Sequence, residues 1–202
     1  MRFIVLILLL LTRLGAQSLP AQKCGFADQA LSLMKTTAPQ SRDLEFLDES
    51  VLSPRGIFRI HFTRSGTHAV AGAESVGIPQ FVTEAGIAAD SAYSILVDEL
   101  NFLAPLADGG IDGDELDIYI KNWNGSYYGM TYFGSSAPST TYLVVDNNYL
   151  EANYATSGLA ALRVTIAHEF FHMVQLRYAY PFEPVSSNAY WYEISSTWME
   201  EK

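Results

Sequence analysis

The sequence predicts an α+β fold in which a twisted mixed sheet packs against two helices. Apolar residues recur at helical spacing over residues 78–102 and 157–178, and segments typical of strands lie between them. With 49% hydrophobic and 13% aromatic residues, the chain of 202 residues has enough apolar material for one substantial core. We therefore expect one globular domain.

The N-terminal part of the chain is expected to lie outside this domain. Residues 1–16 combine Arg2, an apolar run and small residues near Ala16, which is the layout of a secretory signal peptide and too short to span a membrane. We interpret residues 17–56 as a pro-region or linker with one weak helical stretch, FADQALSLMK. The mature chain is expected to be secreted, extracellular or periplasmic, with no membrane span.

The main domain is expected over residues 57–202. It begins with a strand in GIFRIHFTRSG, which the long amphipathic helix of residues 78–102 follows. Three further strands are predicted in ELDIYIKNW, YYGMTYFG and TTYLVVDNN, separated by clusters of Gly, Ser and Pro. The second helix covers residues 157–178 and is apolar on nearly all sides, which indicates that it is buried.

The acidic composition limits the classes of partner. The formal net charge is −10, and it becomes −12 when Arg2 and Arg13 leave with the signal peptide. Such a surface argues against nucleic acid or an anionic membrane as a partner. The turn at residues 108–117 has acids that could bind calcium, but their spacing does not match a helix-loop-helix calcium loop. A solvated acidic turn is the better interpretation, and calcium binding stays open.

The second helix carries a polar stripe within its apolar surface. In RVTIAHEFFHMVQLRY, the stripe consists of Thr165, His168, His172 and Gln175. Histidines four residues apart on a helix can direct imidazole nitrogens at one zinc ion, and Glu169 can reach a water on that ion. A carboxylate in that place can take the proton of the water and pass it to a leaving amine. The alternative is a partly solvated helix face whose histidines bind nothing.

A catalytic zinc site needs a third protein ligand. Downstream of His172 the chain has neither histidine nor cysteine, which leaves the glutamates at Glu183, Glu193, Glu200 and Glu201. Glu193 follows His172 by 21 positions. It lies in the aromatic segment NAYWYEISSTWMEEK, which we expect to form a helix packed against the first one. We therefore predict that His168, His172 and Glu193 bind the metal.

Taken together, the two motifs resemble those of the gluzincin class of zincin metallopeptidases. HEFFHMVQ with WYEISSTWMEE is similar to motifs of less characterised secreted bacterial metalloproteases of that type. The resemblance covers roughly residues 56–202 and implies a zincin-like fold, zinc as the cofactor and a protein or peptide substrate. It implies that Glu169 is the general base and that Glu193 opens the final helix. It also implies an edge strand that pairs with the substrate backbone, for which YGMTYF is our candidate.

The sequence departs from related zincin patterns at two places. A metzincin would need glycine at position 175 and histidine at position 178, where this chain has Gln175 and Tyr178, so that class is excluded. Gluzincins place a histidine or tyrosine that stabilises the oxyanion further along the chain than Lys202. That residue is therefore unassigned here.

Cys24 is the only cysteine of the chain. An exported protein with one cysteine has no internal disulfide, so the thiol is either free or paired with another molecule. The alternative is that its thiolate fills the open position on the zinc, since QKCGFAD resembles the cysteine-switch segment of matrix metalloproteases. The sequence leaves both interpretations open.

These observations predict a secreted zinc-dependent endopeptidase that uses a metal-activated water and Glu169 to hydrolyse peptide bonds. The main alternative is a non-catalytic exported zinc-binding or interaction module with a zincin-like fold. A hydrolase acting on another amide or ester is a third candidate. Glu169 favours catalysis, because a structural zinc site has no use for a base beside one of its ligands.

Overall fold

A computed structural model describes the chain over residues 20–35, 47–108, 113–134, 139–178 and 185–201. The predicted signal peptide, residues 1–16, lies outside the described residues. Within the described ranges, no helix combines the length and the apolar character that crossing a membrane requires.

The described strands form one mixed sheet of six strands. They are β1 (Gln22–Cys24), β2 (Glu49–Leu52), β3 (Phe58–Phe62), β4 (Leu116–Ile120), β5 (Tyr127–Phe133) and β6 (Thr141–Val145). Across the sheet their order is β1, β5, β6, β4, β3 and β2. β1 runs parallel to β5, and β3, β4 and β6 are parallel to one another, whereas β2 pairs with β3 and β5 with β6 in antiparallel fashion. The predicted mixed sheet is therefore confirmed.

Four α-helices lie in the described part of the chain: α1 (Phe26–Lys35), α2 (Gln80–Tyr93), α3 (Gly158–Tyr178) and α4 (Val185–Met199). α3 begins within one residue of the predicted start. The helix predicted over residues 78–102 is shorter than expected, because a π-helical segment, Ser94–Glu99, follows α2. A π turn holds more residues than an α turn, and the apolar spacing alone does not reveal it.

The main core lies between one face of the sheet and the helices α2 and α3. Alternate residues of a strand point to opposite faces, so β3 contributes Phe58, Ile60 and Phe62 to this core. The opposite face carries a smaller, mostly aromatic cluster of Leu47, Tyr119, Trp123, Tyr132, Tyr142 and Val144. α3 contacts α2, α4, β5 and β6. This position between several neighbours explains why α3 is apolar on nearly all sides.

Two strands, β1 and β2, lie within residues 17–56, the predicted pro-region or linker. β2 pairs with β3, and the side chain of Arg64 lies 2.8 Å from the carboxylate of Glu49. β1 extends the sheet beyond β5, and α1 packs against α4 and β5. The described parts of residues 17–56 therefore pack on the sheet, while the assignment of this segment as a pro-region stays a prediction.

A buried carboxylate fixes the connection from β6 to α3. One oxygen of Asp146 accepts hydrogen bonds from the backbone N–H groups of Asn148 and Tyr149, at 3.0 and 2.8 Å. Its other oxygen accepts from the Trp123 N–H at 2.9 Å. Tyr149 in turn donates its hydroxyl proton to the carbonyl of Tyr128 in β5, at 2.8 Å. These bonds tie the connection between β6 and α3 to β5.

Candidate metal centre

α3 carries its polar stripe into the interior of the protein. The side chains of His168, Glu169 and His172 are each at most 1% exposed. The interpretation of this helix face as partly solvated is therefore wrong. Polar groups buried to this extent need partners, because each unpaired one costs free energy of folding.

Four potential metal ligands meet at this stripe, and we call them the ligand cluster: Cys24, His168, His172 and Glu193. The Nε2 atoms of the two histidines lie 3.1 Å apart. The carboxylate oxygens of Glu193 lie 3.3 Å from Nε2 of His168 and 3.5 Å from Nε2 of His172. The Cys24 Sγ atom lies 3.4 Å from Nε2 of His172. One ligand atom from each residue lies within 4.8 Å of every other.

Four separations within the ligand cluster are close to those around a tetrahedral zinc ion, with Oε2 of Glu193 measured to His168 and Oε1 to His172. With usual zinc bond lengths, two nitrogens, or a nitrogen and an oxygen, should be about 3.3 to 3.5 Å apart, and a nitrogen and a sulfur about 3.5 Å. The four distances above come close to these values. In addition, the buried Oε1 atom of Glu193 makes no hydrogen bond of standard geometry among the described residues, since its contact with Nε2 of His172 is 3.5 Å long. An ion would supply the missing partner, so the residues present suit zinc.

Partners at Nδ1 orient both imidazole rings. The Nδ1 atom of His168 lies 2.7 Å from Oε1 of Glu200. The Nδ1 atom of His172 lies 2.7 Å from Oε1 of Gln175 and 3.1 Å from the hydroxyl of Ser196. Such contacts leave both Nε2 atoms directed at the centre, as outer partners of metal-binding histidines do. Sequence reasoning placed Gln175 on the polar stripe but missed this positioning role, and it missed Ser196 entirely.

The charges of the cluster favour a buried ion pair when no metal is bound. Burial lowers the pKa of His168, but hydrogen bonds to Glu193 and Glu200 outweigh it and raise the pKa to about 9. Burial raises the pKa of Glu193, yet the close contacts of its carboxylate with the His168 and His172 rings outweigh burial and hold this pKa well below its usual range. His168 is then an imidazolium at neutral pH. A metal would have to displace its proton, so acid opposes metal binding.

Burial raises the pKa of the Cys24 thiol well above its usual value, and the nearby carboxylates of Glu169 and Glu193 raise it further. The thiol is therefore protonated at neutral pH when no metal is bound. The sulfur accepts a hydrogen bond from the Phe26 N–H at 3.3 Å. A thiolate in this place would need a positive ion beside it.

Glu169 lies beside the ligand cluster with one carboxylate oxygen free. Its Oε2 atom accepts a hydrogen bond from the Thr131 hydroxyl at 2.7 Å, whereas its buried Oε1 atom has no partner among the described residues. Gly129 of β5 makes this approach possible, because a Cβ atom there would lie 2.6 Å from Thr165 and 3.0 Å from Glu169. Sequence reasoning missed Thr131 and Gly129, since nothing local marks them within a strand.

The other candidate ligands lie apart from the centre or outside the described residues. Glu200 contacts His168 at Nδ1 rather than at Nε2, and Glu201 is exposed. Glu183 lies outside the described residues. The expectation that Glu193 opens the final helix is wrong, because α4 already begins at Val185. Glu193 therefore reaches the centre from the middle of α4, through the packing of α4 on α3.

The acidic turn stays undecided as a calcium site. Glu115, one of the acidic residues of this turn, forms an ion pair with Arg59 at 3.0 Å. Asp112 lies outside the described residues. In the described part of the chain, the ligand cluster is the one group of three or more potential ligands whose atoms lie this close together.

Three residues of the ligand cluster, Cys24, His168 and His172, are buried, whereas the Glu193 side chain is 34% exposed. A cavity of about 280 Å³ lies between α2, α3 and the end of α4, and none of the four cluster residues lines it. At the cluster itself, the ring of Phe26 is fully buried and stacks on His172, with ring centroids 4.1 Å apart. Cys24 of β1 and Phe26 of α1 therefore both contact His172 at the ligand cluster.

The chain matches no protein-family model, no curated protein and no solved structure. Conclusions about its function therefore depend on the spacing of its motifs and on the geometry of the ligand cluster.

Proposed function

We propose that the chain is a secreted, gluzincin-like zinc endopeptidase in which His168, His172 and Glu193 hold the zinc ion and Glu169 is the general base. One observation carries this proposal: two Nε2 atoms lie 3.1 Å apart with the Glu193 carboxylate 3.3 and 3.5 Å from them, and a second buried carboxylate beside them has an oxygen without a hydrogen bond among the described residues. Three protein ligands plus a carboxylate base are the requirements of metal-assisted peptide hydrolysis.

The residues around the centre have separate tasks in this reaction. A bound zinc ion supplies polarisation of the scissile carbonyl and a water whose pKa is close to neutral. Glu169 accepts the proton of the water at its free Oε1 atom and later gives it to the leaving amine nitrogen. Thr131 holds the Oε2 atom, which leaves Oε1 as the proton acceptor. Glu200 and Gln175 keep the two imidazole rings in place.

The strand β5 supports a protein or peptide as the substrate. β5 lies next to Glu169, and on its outer side the described structure places only the three-residue strand β1. An extended peptide can add to a sheet edge through backbone hydrogen bonds, which fixes the position of a scissile bond without demanding one sequence. The expectation that YGMTYF, residues 128–133, forms the edge strand is wrong for the described sheet, because β1 lies outside β5. β5 would be an edge strand only without β1.

A non-catalytic exported zinc-binding module is the second candidate function. Cys24 favours it, because structural zinc sites have four protein ligands and no open position. Glu169 argues against it, since the unpartnered Oε1 atom costs folding free energy and a structural site gains nothing from it. A role for Glu169 in hydrolysis separates the two candidates.

The substitution Glu169→Gln tests the proposal. Zinc content should stay the same because no ligand is removed, whereas hydrolysis of casein or of a peptide should fall by about 100-fold to 10,000-fold. The assay uses the parent chain and the Cys24→Ser chain, because the thiol lies where a water is required. Glu201→Gln, at an exposed position, is the matched control. Unchanged hydrolysis in Glu169→Gln would exclude the base, and a zinc-loaded chain without hydrolysis in either background would favour the binding module.

A further inference from the structure

The strand β1 occupies the edge of the sheet that the proposed function assigns to substrate. The Gln22 N–H donates to the Ser126 carbonyl at 2.9 Å, and the Gly25 N–H donates to the Gly129 carbonyl at 3.0 Å. Cys24 pairs with Gly129 in the parallel register. Without β1, β5 would be the edge strand. A substrate backbone and β1 would therefore compete for the same hydrogen-bonding groups.

The Cys24 side chain points into the ligand cluster from this strand. Its sulfur lies 3.4 Å from Nε2 of His172 and is buried. A catalytic zinc ion with three protein ligands keeps one position for water. Glu193 and Glu169 each have one buried oxygen that makes no hydrogen bond of standard geometry among the described residues, and a cation at the ligand cluster would compensate both.

Further contacts hold the segment of β1 and α1 on the centre. The Phe26 ring stacks on His172 with an interplanar angle of 3°. Lys23 lies 2.6 Å from the carboxylate of Glu200, which itself holds His168. The Tyr127 hydroxyl donates to Asp28 in α1 at 2.9 Å. The segment thus contacts one ligand histidine directly and the other through Glu200.

We propose that residues 20–35 are an inhibitory segment, with the Cys24 thiolate as the fourth zinc ligand and β1 in the place of the substrate strand. This inference rests on the proposed function. The thiol loses its proton to solvent when the sulfur–zinc bond forms. Activation breaks that bond, a proton from solvent returns to the sulfur, and a water takes the vacated position. Until then the centre has no nucleophilic water and no free sheet edge.

The atom that faces the centre explains why the segment is an inhibitor rather than a substrate. A peptide substrate would place a carbonyl carbon beside Glu169, whereas β1 places the Cys24 sulfur in the ligand cluster. A thiolate has no bond that Glu169 and water could hydrolyse. It also binds zinc more strongly than water does. The segment can therefore stay bound without being cut at this position.

Cobalt substitution tests the sulfur–metal bond directly. Cobalt(II) takes up zinc sites and gives a thiolate-to-metal charge-transfer band in the near ultraviolet only when sulfur binds it. Cys24 is the only cysteine, so the band can have only one source within the chain. The parent chain should show this band. Cys24→Ser and Cys24→Ala should lose it but keep the visible bands of tetrahedral cobalt, since two histidines and Glu193 remain.

Hydrolysis measured on the same variants tests latency. We expect the zinc-loaded Cys24→Ser chain to cleave a peptide about tenfold or more faster than the parent chain. The double change Cys24→Ser with Phe26→Ala, which also removes the stacking on His172, should be at least as fast. Equal rates in all three chains, or no charge-transfer band in the parent, would overturn the inhibitory role.

The outcomes also separate this inference from the proposed function. In one outcome, Cys24→Ser shows tetrahedral cobalt bands and hydrolysis, and the parent chain has the same activity but no sulfur band. This result would refute the inhibitory segment and leave the proposed function standing. A sulfur band in the parent with no hydrolysis in any variant would refute the latency and favour a closed structural zinc site. Failure of every chain to bind cobalt would refute both.

Discussion

Glu200 is a positioning residue in this account. Its carboxylate is largely buried and lies 2.7 Å from Nδ1 of His168 on one side and 2.6 Å from Lys23 on the other. Hydrogen bonds to His168 and Lys23 outweigh burial and keep the pKa of Glu200 below its usual value, so the group is ionised at neutral pH. An anionic acceptor at Nδ1 orients the ring and makes Nε2 a stronger ligand.

We predict that Glu200→Gln lowers zinc affinity by about 10-fold to 100-fold, the usual effect of losing an outer partner of a histidine ligand. The measurement is a competition titration against a chromophoric chelator at neutral pH. Lys23→Gln is the matched control, because it removes the same ion pair without touching His168. If both substitutions change the affinity equally, Glu200 acts through the N-terminal segment and not through His168.

The residues that the sequence identified are those whose geometry is local. His168, Glu169 and His172 lie on one helix, where spacing determines direction. Glu193 was selected by its distance along the chain, and the structure brings it to the two histidines. Ser196 was not predicted, because its contact with Nδ1 of His172 depends on how α4 packs on α3. No local sequence pattern indicates that packing.

The packing of α3 on β5 places Glu169 beside the ligand cluster. This contact is close because Gly129 has no side chain, and Thr165 and Glu169 fill the space that a Cβ atom would need. The Thr131 hydroxyl, two residues further along β5, then reaches both the carboxylate and the backbone carbonyl of Glu169, at 2.7 and 2.9 Å. One strand and one helix thus fix the position of the proposed base.

We predict that Gly129→Ala displaces Glu169 and lowers hydrolysis in the Cys24→Ser background by about 10-fold to 100-fold. A Cβ atom 2.6 Å from Thr165 forces a shift of the helix or of the side chain. Zinc affinity should change much less, because the three atoms nearest to that Cβ atom belong to Thr165 and Glu169 and not to His168, His172 or Glu193. Peptide hydrolysis and zinc binding should be measured on the same preparation. A loss of zinc in proportion to the loss of activity would mean that the substitution disturbs α3 as a whole.

The strands of the main domain could be predicted from the sequence, but the pairing of β1 with β5 could not. The strands β3 to β6 were predicted because each carries a run of apolar and aromatic residues between turn signals. β1 has three residues, two of them exposed, and its partner β5 lies about 100 positions further along the chain. Its parallel pairing has no local signature. α4 likewise begins well before Glu193, in residues whose sequence shows no clear cap.

At the scale of the whole molecule, the ligand cluster joins three parts of the chain. α3 supplies the histidines, α4 supplies Glu193, and the N-terminal strand supplies Cys24. These parts lie far apart in sequence, and the sheet and the packing of α4 on α3 bring them together. Because the unfolded chain does not hold this arrangement, metal binding should stabilise the folded protein.

A zinc titration of the metal-free Cys24→Ser chain, with peptide hydrolysis recorded at every step, tests whether a zinc ion at the ligand cluster is responsible for hydrolysis. We predict that hydrolysis rises in proportion to bound zinc and levels off at one ion per chain. Glu193→Ala in the same background should bind zinc about 100-fold more weakly or worse, because it removes a ligand. Full hydrolysis without zinc, or zinc bound equally tightly by the Glu193→Ala chain, would contradict the account.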